Sequence, residues 1–261
     1  MNISILTLFP EMFEGFSTNS IMKRALGKGV ATLNVVNIRD FTKDKWGRVD
    51  NHPVGGGAGL IEQCQPIVDA LHSVRKENSH VILMSPRGHT YDEQTAKRFA
   101  ELDDLIIICG HYEGIDERVN SYVDELVSIG DYILTGGEIP AMAISDSVIR
   151  LLDGAITSDS LNDESFNDSL LEYPQYAEPY DYEGMTVPDI LYSGNHVAIE
   201  KWRRRMSLLL TREHRPDLFK KLTLSKQDLK LLSDYDSGIT PKWESEALEK
   251  GKRFLHSKKE D

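Results

Sequence analysis

Four glycines in five positions close the run Pro53-Val-Gly-Gly-Gly-Ala-Gly59. A residue without a Cβ lets the backbone lie against a ligand or take positive φ. Successive free N–H groups can also cradle an anion. A flexible or tight connection would be spelled the same way. No Gly-Lys-Ser/Thr follows, and the setting is not that of a dinucleotide fingerprint, so neither phosphate loop is indicated. A second constellation, Cys109-Gly-His-Tyr-Glu-Gly-Ile-Asp-Glu-Arg118, follows the most apolar stretch of the chain. Open α/β sheets bind ligands beyond the carboxyl ends of their strands. Gly110 permits close approach there, and Glu113, Asp116 and Arg118 add polar groups. His111 alone reads as an ordinary polar histidine. A third segment, Ser128 to Pro140, holds three glycines around the apolar residues Ile129, Tyr132 and Leu134. Such a loop offers main-chain donors and acceptors over an apolar floor, which suits an adenine base. Arg150 and the acids Asp163, Glu164 and Asp168 complete the candidates. Singly, the first suits a helix C-terminus and the others a solvated linker.

These groups need a scaffold. Ile3–Leu8, Thr32–Ile38, Val81–Ser85, Leu105–Cys109 and Glu125–Ile129 read as strands. Leu105–Cys109 is continuously apolar, as a fully buried parallel strand would be. Helical spacing covers Phe9–Gly27 (Pro10 in its first turn), Pro66–Arg75, Asp92–Leu102 with Asp92 as N-cap, and Ile139–Leu152. Residues 40–60 read as a long loop. The alternation predicts an α/β domain with a mostly parallel sheet over residues 1–155. Residues 156–186 read as an acidic mobile linker. From 187 to 261 the pattern is helical only, with a capping-box spelling at Ser225-Lys-Gln-Asp228.

The chain has 261 residues and a net charge of −12, with 40% hydrophobic and 28% charged residues. This is the composition of an ordinary globular protein. No window reaches the ~20 apolar residues of a bilayer span, and the N-terminus lacks the features of a signal peptide. The expectation is a cytoplasmic protein with no membrane partner. Its two cysteines, Cys64 and Cys109, are expected to be reduced and partly buried. The charge is unevenly spread. Residues 153–189 carry ten acids and no Lys or Arg, whereas residues 192–230 carry ten Lys/Arg against four Asp/Glu. A phosphate backbone can find footing on that tail despite the acidic total.

Together LTLFPEMF at 6–13, VGGGAG at 54–59, CGHYEGIDERV at 109–119, SIGDYILTGGEIPAM at 128–142, LLEYPQY at 170–176 and LYSGNH at 191–196 resemble the bacterial tRNA (guanine-N1)-methyltransferases. The resemblance runs from the first strand into the helical tail. It implies a knotted (trefoil, SPOUT-type) methyltransferase domain, an exception to the rule against threaded chains, followed by a smaller all-helical C-terminal domain that binds tRNA. It implies a homodimer with active sites between subunits, a tRNA substrate rather than DNA, and S-adenosyl-L-methionine as methyl donor. A divalent ion, usually Mg2+, is implied as well, with no ligand cluster to place it. By the same resemblance the cofactor pocket uses Pro86, Gly110, Glu113, Ser128, Ile129, Gly130, Asp131, Tyr132, Ile133, Leu134, Gly136, Gly137 and Pro140.

The reaction implied is methyl transfer to N1 of the guanosine at tRNA position 37, beside the anticodon. Arg150 matches the family's arginine at the reacting guanine. The family's general base is an aspartate before a Ser-Phe pair. Here Glu164 precedes Ser165-Phe166, so either Glu164 or Asp163 takes that role. The family's Tyr-Thr-Arg-Pro is Tyr176-Ala-Glu-Pro179 here, one cation fewer. Lys201, Arg203, Arg204, Arg205, Arg212 and Arg215 are the cations offered to the RNA backbone. A related enzyme with another RNA target, or an RNA-binding module without turnover, would carry many of the same motifs.

Overall fold

The computed structural model describes residues 1–156, 165–166 and 170–257. The chain divides into two compact units, Met1–Leu161 and Asn162–Asp261. The first is built on five parallel strands: β1 (Asn2–Thr7), β2 (Thr32–Asn37), β5 (His80–Thr90), β6 (Asp104–Ile108) and β7 (Glu125–Ser128), in the order β2-β1-β6-β5-β7. A separate antiparallel pair joins β3 (Asp50–Asn51) to β4 (Ile61–Glu62). All five residues of β6 are buried. Leu105 and Ile107 join one core with Ile3, Ile5, Phe99, Ile144 and Val148. Ile106 and Ile108 join a second with Leu6, Ile67, Leu71 and Leu83. Covering both faces of the strand is what its unbroken apolar spelling requires. The helices that cover the sheet are α2 (Ser20–Gly27), α3 (Cys64–Val74), α4 (Glu93–Ala100) and α5 (Glu138–Leu151).

Element types match the sequence reading well, apart from the short β3–β4 pair, which begins inside the expected 40–60 loop, and three further differences. The helix expected over Phe9–Gly27 is three pieces: a 3-10 turn Pro10–Phe13, α1 (Glu14–Thr18) and α2. The break has a local cause. The Ser17 and Thr18 hydroxyls and the Asn19 amide all bond carbonyls of Glu14 and Gly15, Asn19 is extended, and Ser20 takes φ +53°. Polar side chains that bond the backbone in this way compete with helix continuation. Next, β5 runs to Thr90, beyond the expected Ser85, and pairs with β7 on both sides of an irregularity between Met84 and His89. Finally, the acidic connector contains a tight hairpin, Asp181–Tyr182 with Met185–Thr186, turned by Glu183 and Gly184 at positive φ.

The second unit is helical apart from that hairpin, with helices His196–His214, Pro216–Phe219, Lys226–Asp236 and Lys242–Ser257. Ser225 and Asp228 form the reciprocal cap that their spacing predicts. Ile190, Trp202 and Ala247 share one core, and Leu170, Leu208, Leu209 and Leu232 another. Gly251 lies so close to the Asp189 carbonyl that any Cβ there would collide with it.

Candidate active site

A cavity of about 520 Å³ opens at the carboxyl ends of β6 and β7, beside the irregularity in β5. Pro86 comes from β5, Gly110 to Ile115 follow β6, and Ser128 to Gly137 follow β7, with Pro140 from the first turn of α5. Every residue expected at the cofactor lines it except Asp131. The resemblance named this set, and chain connectivity explains how it meets. The turns that follow β6 and β7 both carry glycines, and β5 contributes Pro86 at its irregularity between Met84 and His89.

The turns lock to one another through backbone. Gly137 N–H donates to the Gly110 carbonyl at 2.8 Å, and a Cβ on Gly137 would come within 2.7 Å of Cys109 Cα. Gly137 is therefore glycine because two backbones meet there. Glu113 N–H donates to the Leu60 carbonyl, Glu62 N–H to Gly114 and Asp116 N–H to Glu62. At Gly59 (φ +77°) a Cβ would run into the Glu113 side chain. The glycine-rich run thus packs against the turn after β6. Tyr112, itself at φ +57°, lines the cavity, and burial with the Asp50 charge pushes its hydroxyl pKa up. Ser128 and Gly130 exchange hydrogen bonds at 3.1 and 3.2 Å, curling the third turn.

Behind this wall lies a polar cluster that sequence reasoning missed. Glu62 and Glu138 are 0% and 1% exposed. Glu138 Oε1 accepts from the Thr7 hydroxyl at 2.8 Å, and its Oε2 lies 3.4 Å from His111 Nδ1. Glu62 Oε1 accepts from the His111 backbone N–H, while its Oε2 is buried without a hydrogen-bond partner. Burial, with the Glu138 and Asp50 charges opposing the His111 N–H, pushes the Glu62 carboxyl up to about 8. Glu62 is accordingly protonated at neutral pH. It shapes the turn after β6 as a neutral acid. The sequence signal was a single acid in Leu-Ile-Glu-Gln, too short for its burial to be read. Burial also pushes the Cys109 thiol up, so this cysteine is no nucleophile.

Arg150 occupies the last turn of α5, partly buried. Asp163, Glu164 and Asp168 lie outside the described residues. The proposed RNA cations sit in the second unit, most of them already paired. Arg204 forks Asp228 at 2.8 and 3.1 Å, and this bond first of all holds the Asp228 carboxyl down at about 2. Arg212 forks Asp236, Arg215 forks Asp217, and Arg203 bonds Glu200 while lying over the Tyr173 ring. Lys201 lies over Trp243. Arg205 requires a correction. It is only 6% exposed, is bidentate to Glu244 and sits between the Tyr235 and Trp243 rings. Its guanidinium holds the helix Lys242–Ser257 and is not presented to solvent. A charge count could not foresee this, because Glu244 lies 39 residues away.

Comparison with known proteins gives a consistent result. A family model described as "tRNA (Guanine-1)-methyltransferase TrmD" matches residues 1–221. A tRNA (guanine-N(1)-)-methyltransferase of Clostridium botulinum (strain 657 / Type Ba4) is 51% identical over 241 residues, 92% of this chain and 100% of the relative. A protein of the same name from Dictyoglomus turgidum is 51% identical over 235 residues, 90% of this chain and 96% of that one. The Clostridium perfringens protein of that name is 50% identical over 234 residues, 89% and 99% of the two chains.

Proposed function

Since the chain belongs to the tRNA (guanine-1)-methyltransferase family, we propose that it methylates N1 of the guanosine at tRNA position 37 from S-adenosyl-L-methionine. The observation that carries this reading is the cavity formed by residues 109–119 and 128–142 at the strand ends. Its volume lies within the range for small-molecule sites, roughly 300–1,000 Å³. Its walls combine apolar Ile129, Leu134 and Pro140 with the Glu113 carboxylate and turn backbone. This donor set fits an adenosine beside a charged amino-acid moiety. When bound, the cofactor supplies an electrophilic methyl group on a sulfonium.

The chain's own residues have three tasks. Guanine N1 carries a proton at neutral pH and becomes a nucleophile only as that proton leaves. We assign its acceptance to Glu164 or Asp163. Negative charge then grows toward O6, where the Arg150 guanidinium stabilises it. The interlocked turns hold the methyl donor in line with N1. The guanosine must leave its stack to enter such a site. Among the described residues no group of three His, Cys, Asp or Glu could hold a divalent ion.

The strand order and the long β5 support a knotted domain over residues 1–155, with 156–186 as connector and 187–261 as the tRNA-binding part. Exposed Tyr132, Ile133, Leu134 and Ile139, with Ile133 at 80%, support closure by a second copy. Among the described residues no helix is long and apolar enough to cross a membrane, and a cytoplasmic tRNA-modifying role fits that. Lys201, Arg203, Arg204, Arg212 and Arg215 remain the proposed backbone contacts. The ion pairs of Arg203, Arg212 and Arg215 are exposed and weak enough to be exchanged for phosphates, whereas the Arg204 partner Asp228 is buried.

The test is methyl transfer to an unmodified tRNA transcript bearing guanosine at position 37, against one bearing adenosine there. Transfer to the first alone, recovered as 1-methylguanosine, is the expected result. Transfer to both would assign another RNA target. Cofactor binding without transfer would make the chain a binding module.

A further inference from the structure

The loop between β2 and β3 carries a feature that cofactor binding and methyl transfer leave unused. Trp46 is 73% exposed at its tip. An indole left in water loses a large burial gain, so a chain that displays one on a rigid support invites a functional explanation. The support here is rigid. Asp44 Oδ1 accepts from the backbone N–H of Trp46 at 2.8 Å and of Arg48 at 3.2 Å. The Thr42 hydroxyl donates to the Arg48 carbonyl at 2.6 Å, and Arg39 donates to the Gly47 carbonyl at 2.9 Å. Gly47 takes φ +72°, the conformation that closes the turn behind the indole.

The surroundings are cationic in an anionic protein. Residues 39–48 hold Arg39, Lys43, Lys45 and Arg48 against Asp40 and Asp44, while the whole chain is at −12. Lys45 Nζ stands 5.1 Å from the Trp46 ring centroid. The loop also reaches the cofactor cavity. Its end, Asp50, pairs with Glu62 in the β3–β4 ladder, and the Asp50 and Arg39 charges act on the hydroxyl of cavity-lining Tyr112. An exposed ring with a cation over one face, tied to the wall of a nucleoside-sized cavity, has the make-up of a single-stranded nucleic-acid platform. Base stacking needs only a π-face, and the neighbouring ammonium serves the phosphate.

We propose that Trp46 stacks on an unpaired tRNA base near the methylated guanosine, with Lys45 contacting the adjoining phosphate. This rests on the tRNA substrate assigned above. Trp202 and Trp243 belong to the other unit and are not fully exposed, so Trp46 dominates quenching of indole fluorescence by acrylamide.

The experiment uses the full chain and the position-37 guanosine transcript. Adding transcript should protect a fraction of the emission from acrylamide, and Trp46→Phe should abolish that protected fraction. Trp46→Ala should raise KM for the transcript roughly 5- to 100-fold, the span of one stacked base. Its kcat and S-adenosylmethionine affinity should stay within about twofold. Trp46→Phe should restore most of the KM and Trp46→Leu little of it, since leucine supplies apolar area without a π-face. Lys45→Ala should lower the salt slope of tRNA binding by about one. A wild-type KM in Trp46→Ala, or equal rescue by Leu and Phe, overturns the proposal. So does protection that rises with protein concentration without RNA, because a second copy would then cover the indole. If the wild type fails to methylate the transcript, the assigned reaction is wrong, and acrylamide protection still reports on Trp46 and RNA.

Discussion

Glu62→Gln should stabilise the protein at alkaline pH, although it removes a buried acid that bonds the backbone. Burial and the neighbouring Glu138 and Asp50 charges push this carboxyl from 4.5 to about 8. Between those values the native state keeps a proton that the unfolded chain has released. Stability therefore falls as pH rises through that window and levels off above it. A gap of about 3.5 units corresponds to roughly 5 kcal/mol at most between the two ends, and 3–5 kcal/mol is a reasonable expectation. Glutamine keeps an oxygen for the His111 N–H. Its amide donors enter a place where Glu62 Oε2 already has no partner, which costs about 1–3 kcal/mol at every pH. The sum predicts a variant equal to or slightly weaker than wild type near pH 5 and stronger by about 2–3 kcal/mol near pH 8.5. Urea unfolding followed by circular dichroism at pH 5.5, 7 and 8.5 measures the difference. Two stability curves that run parallel across those pH values would show that Glu62 does not hold its proton, and the account of the turn after β6 would fail with it.

Four further outcomes are expected, three from the geometry and one from the assigned proton acceptor. Arg205→Ala should destabilise the second unit by roughly 3–5 kcal/mol, as breaking a buried pair does. Arg215→Ala should cost under about 1 kcal/mol and flatten the salt dependence of tRNA binding; thermal melts and filter binding separate the two. Glu164→Gln should slow single-turnover methylation roughly 10²- to 10⁴-fold with S-adenosylmethionine affinity intact, and Asp163→Asn much less; the reverse ranking moves the base to Asp163. Gly137→Val should disturb the fold as well as the cofactor site, because its side chain meets Cys109 and Gly110 backbone. A melting point equal to wild type would contradict that.

What could be read from the sequence depended on range. β6 was legible because burial on both faces writes an unbroken apolar run, and Ser225 because a cap is a four-residue pattern. The turns after β6 and β7 were legible as candidate ligand loops, but their joint lining of one cavity only as resemblance. Gly110 and Gly137 are 27 positions apart, and no local pattern says that their backbones bond. The break at Asn19 was hidden by competition, since apolar spacing continued while side chains took the carbonyls. Glu62, Glu138 and Thr7 became a cluster only through the sheet order that sets β1 beside β6. Arg205 was misjudged because net charge says nothing of where a partner carboxylate lies.

The way the cavity is built bears on the order of events at the site. Main-chain bonds tie the turn after β7 to the turn after β6 (Gly137 to Gly110), and that turn to the residues behind it (Glu113 to Leu60, Glu62 to Gly114). None of these bonds needs a ligand to form, so the turns pay little ordering entropy when the cofactor arrives. Cofactor affinity should then be nearly the same with and without tRNA. By linkage the cofactor should change tRNA affinity just as little, because coupling between two ligands is reciprocal. Calorimetry of S-adenosylhomocysteine binding, with and without the adenosine-37 transcript, measures this coupling without turnover. A change beyond about fivefold, near 1 kcal/mol, would mean that tRNA remodels the walls, and the rigid-cavity argument would have to be abandoned.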